Sequence, residues 1–540
     1  MKDEILVGRN ENFNNLYSDF SKNKMIERQH IFNLTLRKNK LFQLIQKKRF
    51  DKKEMNDNSN LNNKIISNIS SNINQLKQDL NSNDYNLITR ALFQIMNFFQ
   101  EFDFDDEKEI NFFFENLFEE ITKILLLKNY CYSNLILIIF INIFGNKIEI
   151  LVKIESKHTI KLISDEYISI YKNLINEKIE ELSSNLFWFL SNLFLNQELL
   201  CYKILEKTDF IQTITSSLKT KFPKILSNAI NCLYSICNIK NYNLIYQLNE
   251  EQINNLVLIT FNLIEAFRYK NNDENKEQSN KIIILDTLQN LIEIQRKNEI
   301  YEILSSPNYN FVLYFIQYLQ YNMTTYIKYP NFIYYSVKFL YALIKNGNYS
   351  SINEILSFNL FDLFCILYKN KKCLKCLSNE IISYILTTIQ NICEFRYEFC
   401  LIILNNQIFN IIINDMKMEN NTREINLNCL KIISDILSYQ KKDANDYIIS
   451  KNIIFDYIYP IFNEYYQDMD ILIVIIHIFH YLLEYNIHSD IYIDEISKIR
   501  ELFNIILEKI QFSIPPELYK LLKKDTIQKE NKLKITFSYE

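Results

Sequence analysis

The length and composition of the chain bound its fold class before any motif is considered. It has 540 residues, of which 3 are Gly and 6 are Pro. Tight turns that need a positive φ, and the Gly-rich hairpins of β-sandwiches and barrels, are therefore scarce, which leaves helices joined by short polar turns. Hydrophobic residues make up 48% of the chain and charged residues 23%, so most segments can bury apolar surface and fold.

Charge and targeting signals narrow the class of partner. A net charge of −4 argues against nucleic acid, because neutralising phosphates requires a surplus of Lys and Arg. The polar start of the chain carries no recognisable secretory signal. Apolar runs such as Leu135–Ile141 are far shorter than the ~20 residues that span a bilayer, so no membrane partner is expected. Cysteines in apolar segments, such as Cys232 and Cys429, indicate reduced core residues and a cytosolic or nuclear compartment.

Taken in chain order, the sequence divides into five segments. Residues 1–20 are polar and predicted to be disordered, and residues 21–53 form a basic amphipathic helix. Residues 54–65 are a linker, residues 66–515 a repeat array, and residues 516–540 a C-terminal tail. Within the array, apolar positions recur at three- and four-residue spacing over stretches longer than ordinary strands, which predicts helices.

One unit recurs along the array, an apolar helix with a small or polar residue near its centre that ends in a polar turn. The nine examples are Phe93–Phe98, Ile138–Ile143, Trp188–Leu193, Tyr234–Ile239, Asp286–Leu291, Lys338–Leu343, Thr387–Ile392, Lys431–Ile436 and His477–Leu482. Their first residues lie between 44 residues apart, from Thr387 to Lys431, and 52 apart, from Tyr234 to Asp286. This spacing is close to armadillo and HEAT periods of about 40–47 residues and predicts about nine or ten repeats. A divergent HEAT array or another helical array has a similar period, so spacing alone indicates the all-α class and no family.

The basic segment before the array resembles the importin-beta-binding segment at the start of the importin alpha family. The resemblance lies in Leu36–Lys40, followed after six residues by Lys47–Arg49, with Arg28 where the family carries an upstream arginine cluster. Its basic residues are Arg28, Arg37, Lys38, Lys40, Lys47, Lys48 and Arg49. Leu36, Leu41 and Leu44 give the same helix an apolar side. A solvated basic helix without a dedicated partner is the alternative interpretation.

The resemblance implies a fold, a function and partners. It implies an armadillo-repeat, right-handed superhelical solenoid that binds nuclear-localisation signals of cargo proteins in its concave groove. It also implies that the basic segment recruits importin beta and that Lys47–Arg49 occupy the groove until importin beta removes them. Such an adaptor shuttles between cytoplasm and nucleus, uses an export receptor for recycling, and needs no cofactor or catalytic residue.

The importin alpha groove holds basic peptides with Trp-x-x-x-Asn pairs, in which Asn clamps the peptide backbone and Trp rings contact Lys and Arg side chains. Trp188 with Asn192 is one such pair, and Tyr234 with Asn238 is a weaker one. Asn97, Asn142, Asn290 and Asn391 keep the Asn, with Phe93, Ile138, Asp286 and Thr387 in place of Trp. Lys338 with Ala342 and Lys431 with Asp435 lack both, and Asn196 stands where the family has a lysine-binding Asp. We therefore expect weaker or altered preference for basic cargo.

Other constellations do not support catalysis or metal binding. Cys373 and Cys376 have the spacing of half a zinc site, but no second Cys or His pair follows at a suitable distance. His477 and His480 lie on an apolar helix and are predicted to be packed. No catalytic triad or nucleotide-binding glycine pattern is present in the sequence. The second functional hypothesis is a non-transport armadillo scaffold for protein–protein interaction, which binding to importin beta distinguishes from the first.

Overall fold

The structure is a computed structural model. It describes residues 73–101, 113–127, 129–146, 156–195, 197–269, 274–294, 299–305, 310–326, 329–370, 374, 377–416, 422–485 and 493–510. The predicted basic helix 21–53, the linker and the C-terminal tail lie outside these ranges. The chain divides into two units at Asn83. The described part of the first unit is a helix at residues 73–80 and the turn that follows it, with Leu76 and Leu80 buried.

The second unit is built on nine helices that follow one another in a series, within the part of the chain that the structure describes. We call them the ladder helices: α1 (Tyr85–Glu101), α2 (Tyr130–Asn146), α3 (Glu180–Phe194), α4 (Pro223–Ile236), α5 (Glu274–Glu293), α6 (Pro330–Asn346), α7 (Ser378–Phe395), α8 (Arg423–Ser438) and α9 (Met469–Tyr485). Each packs against the next. Eight of the nine units found in the sequence lie within these helices, and the unit Tyr234–Ile239 begins in α4 and continues past its end.

Two further helices separate most successive ladder helices, so that each repeat has three. In the order of the chain these are Ser156–Lys161 with Asp165–Asn176, Glu198–Ile204 with Thr208–Ser216, Tyr242–Tyr246 with Glu250–Arg268, Glu299–Ser305 with Phe311–Tyr326, Tyr349–Ser357 with Leu360–Lys369, Tyr397–Leu404 with Gln407–Asp415, and Lys442–Ser450 with Tyr459–Tyr465. Residues 113–116 and Phe118–Leu125 precede α2, and Ile493–Ile510 follows α9. The described residues contain no strand. A three-helix unit repeated in this way is of the armadillo type, which confirms the predicted all-α solenoid.

Apolar side chains at helical spacing form the core between repeats. In α3, Leu186, Phe187, Leu190 and Phe194 are fully buried. The ring of Phe140 on α2 lies 5.2 Å from that of Phe189 on α3. Aromatic pairs at such distances add to the free energy gained from burying their area, so these rings hold neighbouring ladder helices together.

Asparagine occupies several turn and helix-cap positions in the described residues, some of them with the positive φ that other proteins often provide with glycine. Asn310, Asn359 and Asn452 adopt left-handed backbone angles, with φ of 42°, 59° and 53°, a conformation that Asn tolerates better than most residues. Asn249 accepts a hydrogen bond from the backbone N–H of Gln252 at 2.9 Å, and the Gln252 side chain accepts one from Asn249 at 2.9 Å. This capping box satisfies two donors at the start of a helix. Few glycines therefore suffice for a chain with many turns.

Polar side chains tie neighbouring ladder helices together at defined points. The Asn185 Nδ2 atom donates to Asn134 Oδ1 at 2.9 Å, which joins α3 to α2. The Asn228 Nδ2 atom donates to the Ser184 carbonyl and hydroxyl oxygens, both at 2.9 Å, which joins α4 to α3. Because each bond has a fixed geometry, such contacts set the rotation of one helix relative to the next.

Among the described helices, none by itself is long and apolar enough to cross a membrane. One pair, Tyr349–Ser357 and Leu360–Lys369, meets the length and composition only when taken together across a 59° bend.

Replacing a core ring tests the packing between ladder helices. Phe140 is 0% exposed, and its ring also lies 6.0 Å from that of Phe118. We expect Phe140→Ala to lower the free energy of unfolding by about 3–5 kcal/mol, because the substitution leaves a cavity between repeats. Urea denaturation followed by circular dichroism measures it. The matched control is Phe222→Ala, since Phe222 is 42% exposed and its loss is expected to change stability by less than about 0.5 kcal/mol. Equal losses for both variants would contradict the packing.

Candidate functional site

Two rows of residues run along one face of the ladder helices. The first row contains Phe93, Ile138, Trp188, Tyr234, Asp286, Lys338, Thr387, Lys431 and His477. The second row, four residues later, contains Asn97, Asn142, Asn192, Asn238, Asn290, Ala342, Asn391, Asp435 and Tyr481. Asn238 lies two residues past the end of α4, and the others lie on the same helix as their first-row residue. Four-residue spacing places both on the same side of a helix. Apart from Asp286 and Ala342, which are buried, these residues are half-buried or exposed. The two rows therefore form a surface along consecutive repeats.

Four second-row amides contain a buried atom without a hydrogen-bond partner in the protein. They are the Nδ2 atoms of Asn142, Asn290 and Asn391 and the Oδ1 atom of Asn238. A buried amide atom that lacks a partner costs about 1–3 kcal/mol. The backbone of an extended peptide offers both carbonyl acceptors and N–H donors, so it can satisfy such an amide once the side chain rotates to bring this atom to the surface. The repetition of the same unsatisfied group at equivalent positions is the principal chemical feature of this surface.

Asn192 and Asn97 differ from those four residues. The Nδ2 atom of Asn192 donates to the backbone carbonyl of Ile141 on the preceding ladder helix, at 3.4 Å. Gly145 leaves room for this amide, since a Cβ atom at Gly145 would lie 3.0 Å from the Nδ2 atom. Asn97 is exposed. Asn192 is therefore positioned by a neighbouring repeat, a feature that sequence spacing did not indicate.

The aromatic part of the first row lies near the N-terminal end of the series. Trp188 on α3 and Tyr234 on α4 are half-buried, and Phe93 on α1 is 45% exposed. Trp188 is therefore partly accessible. A ring in this situation can receive the aliphatic stem and charge of a Lys or Arg side chain.

Two first-row side chains form an ion pair between α5 and α6. The Lys338 Nζ atom lies 3.3 Å from Asp286 Oδ1, and the two side chains are 14% and 12% exposed. Burial opposes the charged form of Lys338, yet the carboxylate of Asp286 holds the pKa of this lysine above its ordinary value. From the sequence, Asp286 and Lys338 were seen only as two positions without the expected Trp. Their opposite charges at equivalent positions of adjacent repeats could have indicated an ion pair.

Tyrosines between α6 and α7 form a cluster that sequence reasoning missed. The ring of Tyr384 lies 5.6 Å from the rings of Tyr334 and Tyr341. Burial, followed by the influence of Tyr334, raises the pKa of Tyr384. These residues do not occupy the first row, so a search for aromatic residues in the Trp position could not identify them. They supply aromatic surface beside the Asp286–Lys338 pair.

Asp435 introduces a titratable group into the second row. Its Oδ2 atom is buried without a hydrogen-bond partner in the protein. Burial and the nearby charge of Glu394 raise the pKa of Asp435 to about 7, against the opposite effect of Lys431. The sequence showed only that Asn was absent at this position. The structure adds that this carboxyl changes charge near neutral pH.

The remaining sequence predictions fall outside the surface or outside the described residues. The basic residues Arg28 to Arg49, together with Asn196, Cys373 and Cys376, lie outside the described ranges. Among the described residues no group of three or more His, Cys, Asp or Glu is arranged to hold a metal ion. His477 is exposed rather than packed, and the Nε2 atom of His480 lies 3.7 Å from Glu484.

Comparisons with known proteins yield structural matches only. No known family model matches the chain, and no curated protein matches it. An engineered protein of solved structure aligns with a TM-score of 0.60 and 12% identity, over 84% of this chain and 97% of that chain. SYS-1 aligns with a TM-score of 0.49 and 11% identity, over 86% of this chain and 83% of that chain. A chain from a structure concerning the interaction between cadherin and beta-catenin aligns with a TM-score of 0.40 and 9% identity, over 84% of this chain and 89% of that chain. The match to the engineered protein shows the fold.

The raised pKa of Asp435 predicts a pH-dependent stability. Because the folded-state pKa of about 7 exceeds the unfolded value of 3.8, the stability contribution is present at low pH and lost as the pH rises from about 4 to 7. Asp435→Asn removes this dependence, so we expect the variant to be roughly 2–4 kcal/mol more stable than the natural chain at pH 8 and nearly equal to it at pH 4.

Urea denaturation at several pH values measures the difference between the two proteins. Glu394→Gln is the matched variant, because removing the nearby charge should move the transition to lower pH without abolishing it. A constant difference between the Asp435→Asn variant and the natural chain across this pH range would show that Asp435 does not titrate there.

Proposed function

We propose that this protein binds extended basic segments of other proteins along the second row and acts as a nuclear import adaptor. The observation that carries the peptide-binding part is the set of unsatisfied amide atoms at equivalent positions of successive repeats, Asn142, Asn238, Asn290 and Asn391. The transport part rests on the basic segment 21–53, which resembles an importin-beta-binding segment. Importin beta, cargo proteins with basic nuclear-localisation signals and an export receptor for recycling are the proposed partners. The proposed location is both cytoplasm and nucleus.

The dimensions of helices and extended chains agree with binding of this kind. Packed helices lie about 8–10 Å apart, and an extended chain rises about 3.3 Å per residue. An extended peptide that crosses the ladder helices therefore brings a backbone group near an amide about every third residue. Side chains between those points are left free to contact the first row. In this proposal, contacts of the second row with the peptide backbone provide affinity. Contacts of the first row with the peptide side chains determine which residues are accepted.

The first row and its surroundings favour a basic segment at two places. Trp188 and Tyr234 are half-buried and present aromatic surface to a cationic side chain. At the other end, Asp435 lies close enough to Glu394 for the charge of Glu394 to raise its pKa. A bound Lys or Arg near these two carboxyl groups would favour their ionised forms.

A non-transport scaffold is the second candidate function. The Asp286–Lys338 pair favours it, because the carboxylate of Asp286 is already bound by a lysine of the chain itself. A scaffold of this kind would bind extended segments with few basic residues and would not require importin beta. Binding to importin beta therefore separates the two candidates.

Removing the unsatisfied amides tests the peptide-binding surface. The probe is a fluorescein-labelled peptide of about eighteen residues, long enough at about 60 Å to cross the six ladder helices from α2 to α7, with a Lys-Lys-Arg-Lys centre between Gly and Ser. We expect Asn142→Ala, Asn290→Ala and Asn391→Ala each to weaken its binding about 5–10-fold, because each variant loses one hydrogen bond to the peptide. Fluorescence anisotropy measures the affinity.

Stability provides a second measurement on the same variants. The free protein should lose no stability on these substitutions, since these amide nitrogens have no partner in it. The matched control is Asn228→Ala, which removes an amide that donates to Ser184 and should lower stability while leaving peptide affinity unchanged. Unaltered affinity in all three variants would contradict the proposed surface.

Deletion of residues 1–55 tests the transport part of the proposal. We expect the deletion to abolish binding to importin beta and to strengthen binding of the basic peptide, because the resemblance implies that Lys47–Arg49 compete for the groove. Surface plasmon resonance with immobilised importin beta and anisotropy with the peptide measure the two effects. Replacing Arg37, Lys38, Lys48 and Arg49 by Ala in the full chain should reproduce both. Unchanged behaviour in both assays would exclude the adaptor function and leave the scaffold.

A further inference from the structure

The centre of the two rows differs from their ends in how its charges are arranged. Asp286 and Lys338 occupy equivalent first-row positions on adjacent ladder helices, and their charged atoms lie 3.3 Å apart. The Lys338 Nζ atom also lies 5.6 Å from the centre of the Tyr335 ring. A lysine beside a carboxylate and an aromatic ring is the arrangement that a basic peptide side chain would adopt on this surface. Here the lysine comes from the chain itself.

We propose that Lys338 fills the side-chain slot between α5 and α6 from within, so that a bound peptide must place a neutral or acidic residue there. The Asp286–Lys338 pair then determines specificity at one position of the peptide. This inference rests on the proposed binding of extended peptides, and it adds a rule about which peptides are accepted.

Burial makes the pair a fixed feature rather than a transient contact. The side chains are 14% and 12% exposed, whereas other ion pairs between separate helices, such as Lys172–Asp209, have partners exposed to 32% and 82%. Exposed pairs contribute little and exchange readily with solvent. A buried charge left without its partner is strongly unfavourable. Displacement of Lys338 from Asp286 by a peptide lysine is therefore disfavoured.

Other charged groups lie close to the pair. Lys240, two residues after Asn238, is attracted by Asp286, Glu198 and Glu293 and repelled by Lys338. The Oε1 atom of Glu293 accepts a hydrogen bond from Gln289 at 2.8 Å. A peptide lysine placed beside Asp286 would lie next to the ammonium group of Lys338, which repels it. Repulsion of the wrong ligand is an effective source of specificity.

The peptide backbone can nevertheless continue across this region. Asn238 precedes the pair and Asn290 lies one turn after Asp286, and each has a buried amide atom without a partner. The neighbouring positions therefore retain the groups that hold a backbone. What the pair changes is the side chain accepted between them.

Lysine acetylation tests the self-filled slot without any peptide. The natural chain is treated briefly with acetic anhydride, and the extent of modification at each lysine is read by mass spectrometry. We expect Lys338 to react at least about tenfold more slowly than the exposed Lys345 on the same helix, because a lysine held charged and buried by Asp286 is a poor nucleophile. Asp286→Asn should raise the reactivity of Lys338 and leave that of Lys345 unchanged. Equal reactivity of the two lysines in the natural chain would overturn the proposal.

A scan of peptides tests the effect on specificity. The Lys-Lys-Arg-Lys peptide is extended on either side with Ser, and a single additional Lys replaces each Ser in turn. For the natural chain we expect one position at which Lys weakens binding about fivefold relative to Ser. In Lys338→Met the same Lys should strengthen binding about fivefold, since Asp286 is then available. The matched control is Lys345→Met, for which the affinity of every peptide in the scan should equal that of the natural chain.

Two double variants keep the test decisive if Lys338→Met does not fold. The variant with Asp286→Asn and Lys338→Met carries no charge at either position, so Lys and Ser should bind equally well at that peptide position. The variant with Asp286→Lys and Lys338→Asp restores an ion pair, so the weaker binding of Lys should remain. A scan that is identical for the natural chain and the neutral variant overturns the specificity rule while the peptide-binding proposal stands. Absence of binding by every peptide contradicts the proposed function instead, and the acetylation result still decides whether the slot is filled.

Discussion

The packing of each ladder helix against the next is the interaction on which the rest of the structure depends. No sheet is present in the described residues, so apolar side chains of one repeat can be buried only by its neighbours. Rings such as Phe140 and Phe189, 5.2 Å apart, and hydrogen bonds such as Asn185 to Asn134 fix the rotation of successive helices. Residues at equivalent positions of successive helices can therefore lie next to one another, as Asp286 and Lys338 do.

Many polar side chains of the two rows are partly buried, and partly buried polar groups need hydrogen-bond or charge partners. The described residues show three arrangements of such groups. Asn142, Asn290 and Asn391 keep amide nitrogens without a partner in the protein. Asp286 and Lys338 neutralise each other across two helices. Asp435 has its pKa raised to about 7 by burial and by Glu394. The two rows thus carry three kinds of chemistry in three parts of the surface. Amide nitrogens without a partner in the protein occur from α2 to α7, an ion pair joins α5 to α6, and a carboxyl group with a raised pKa lies on α8.

These three parts relate the fold to the proposed function. The unsatisfied amides suit the uniform backbone of an extended segment, whereas the first row varies from aromatic at Trp188 to charged at Asp286 and Lys338. A binding surface of this type separates affinity from selectivity, because backbone contacts are the same for every peptide and side-chain contacts are not. Under the proposed function, a first row with a single tryptophan still allows an extended segment to bind. It selects different side chains, with the Asp286–Lys338 pair as its most specific element.

The sequence by itself determined the helical class, the period of the repeats and the membership of both rows. Scarcity of Gly and Pro left few alternatives to helices, and four-residue spacing placed Trp188 and Asn192 on one face without knowledge of any contact. Only the tertiary structure decided which polar groups are paired. The Asp286–Lys338 bond joins residues on adjacent helices, as do the Asn192 bond to Ile141 and the contact between Tyr384 and Tyr334. Such contacts depend on the distance and rotation between packed helices, which the local periodicity of a sequence does not specify.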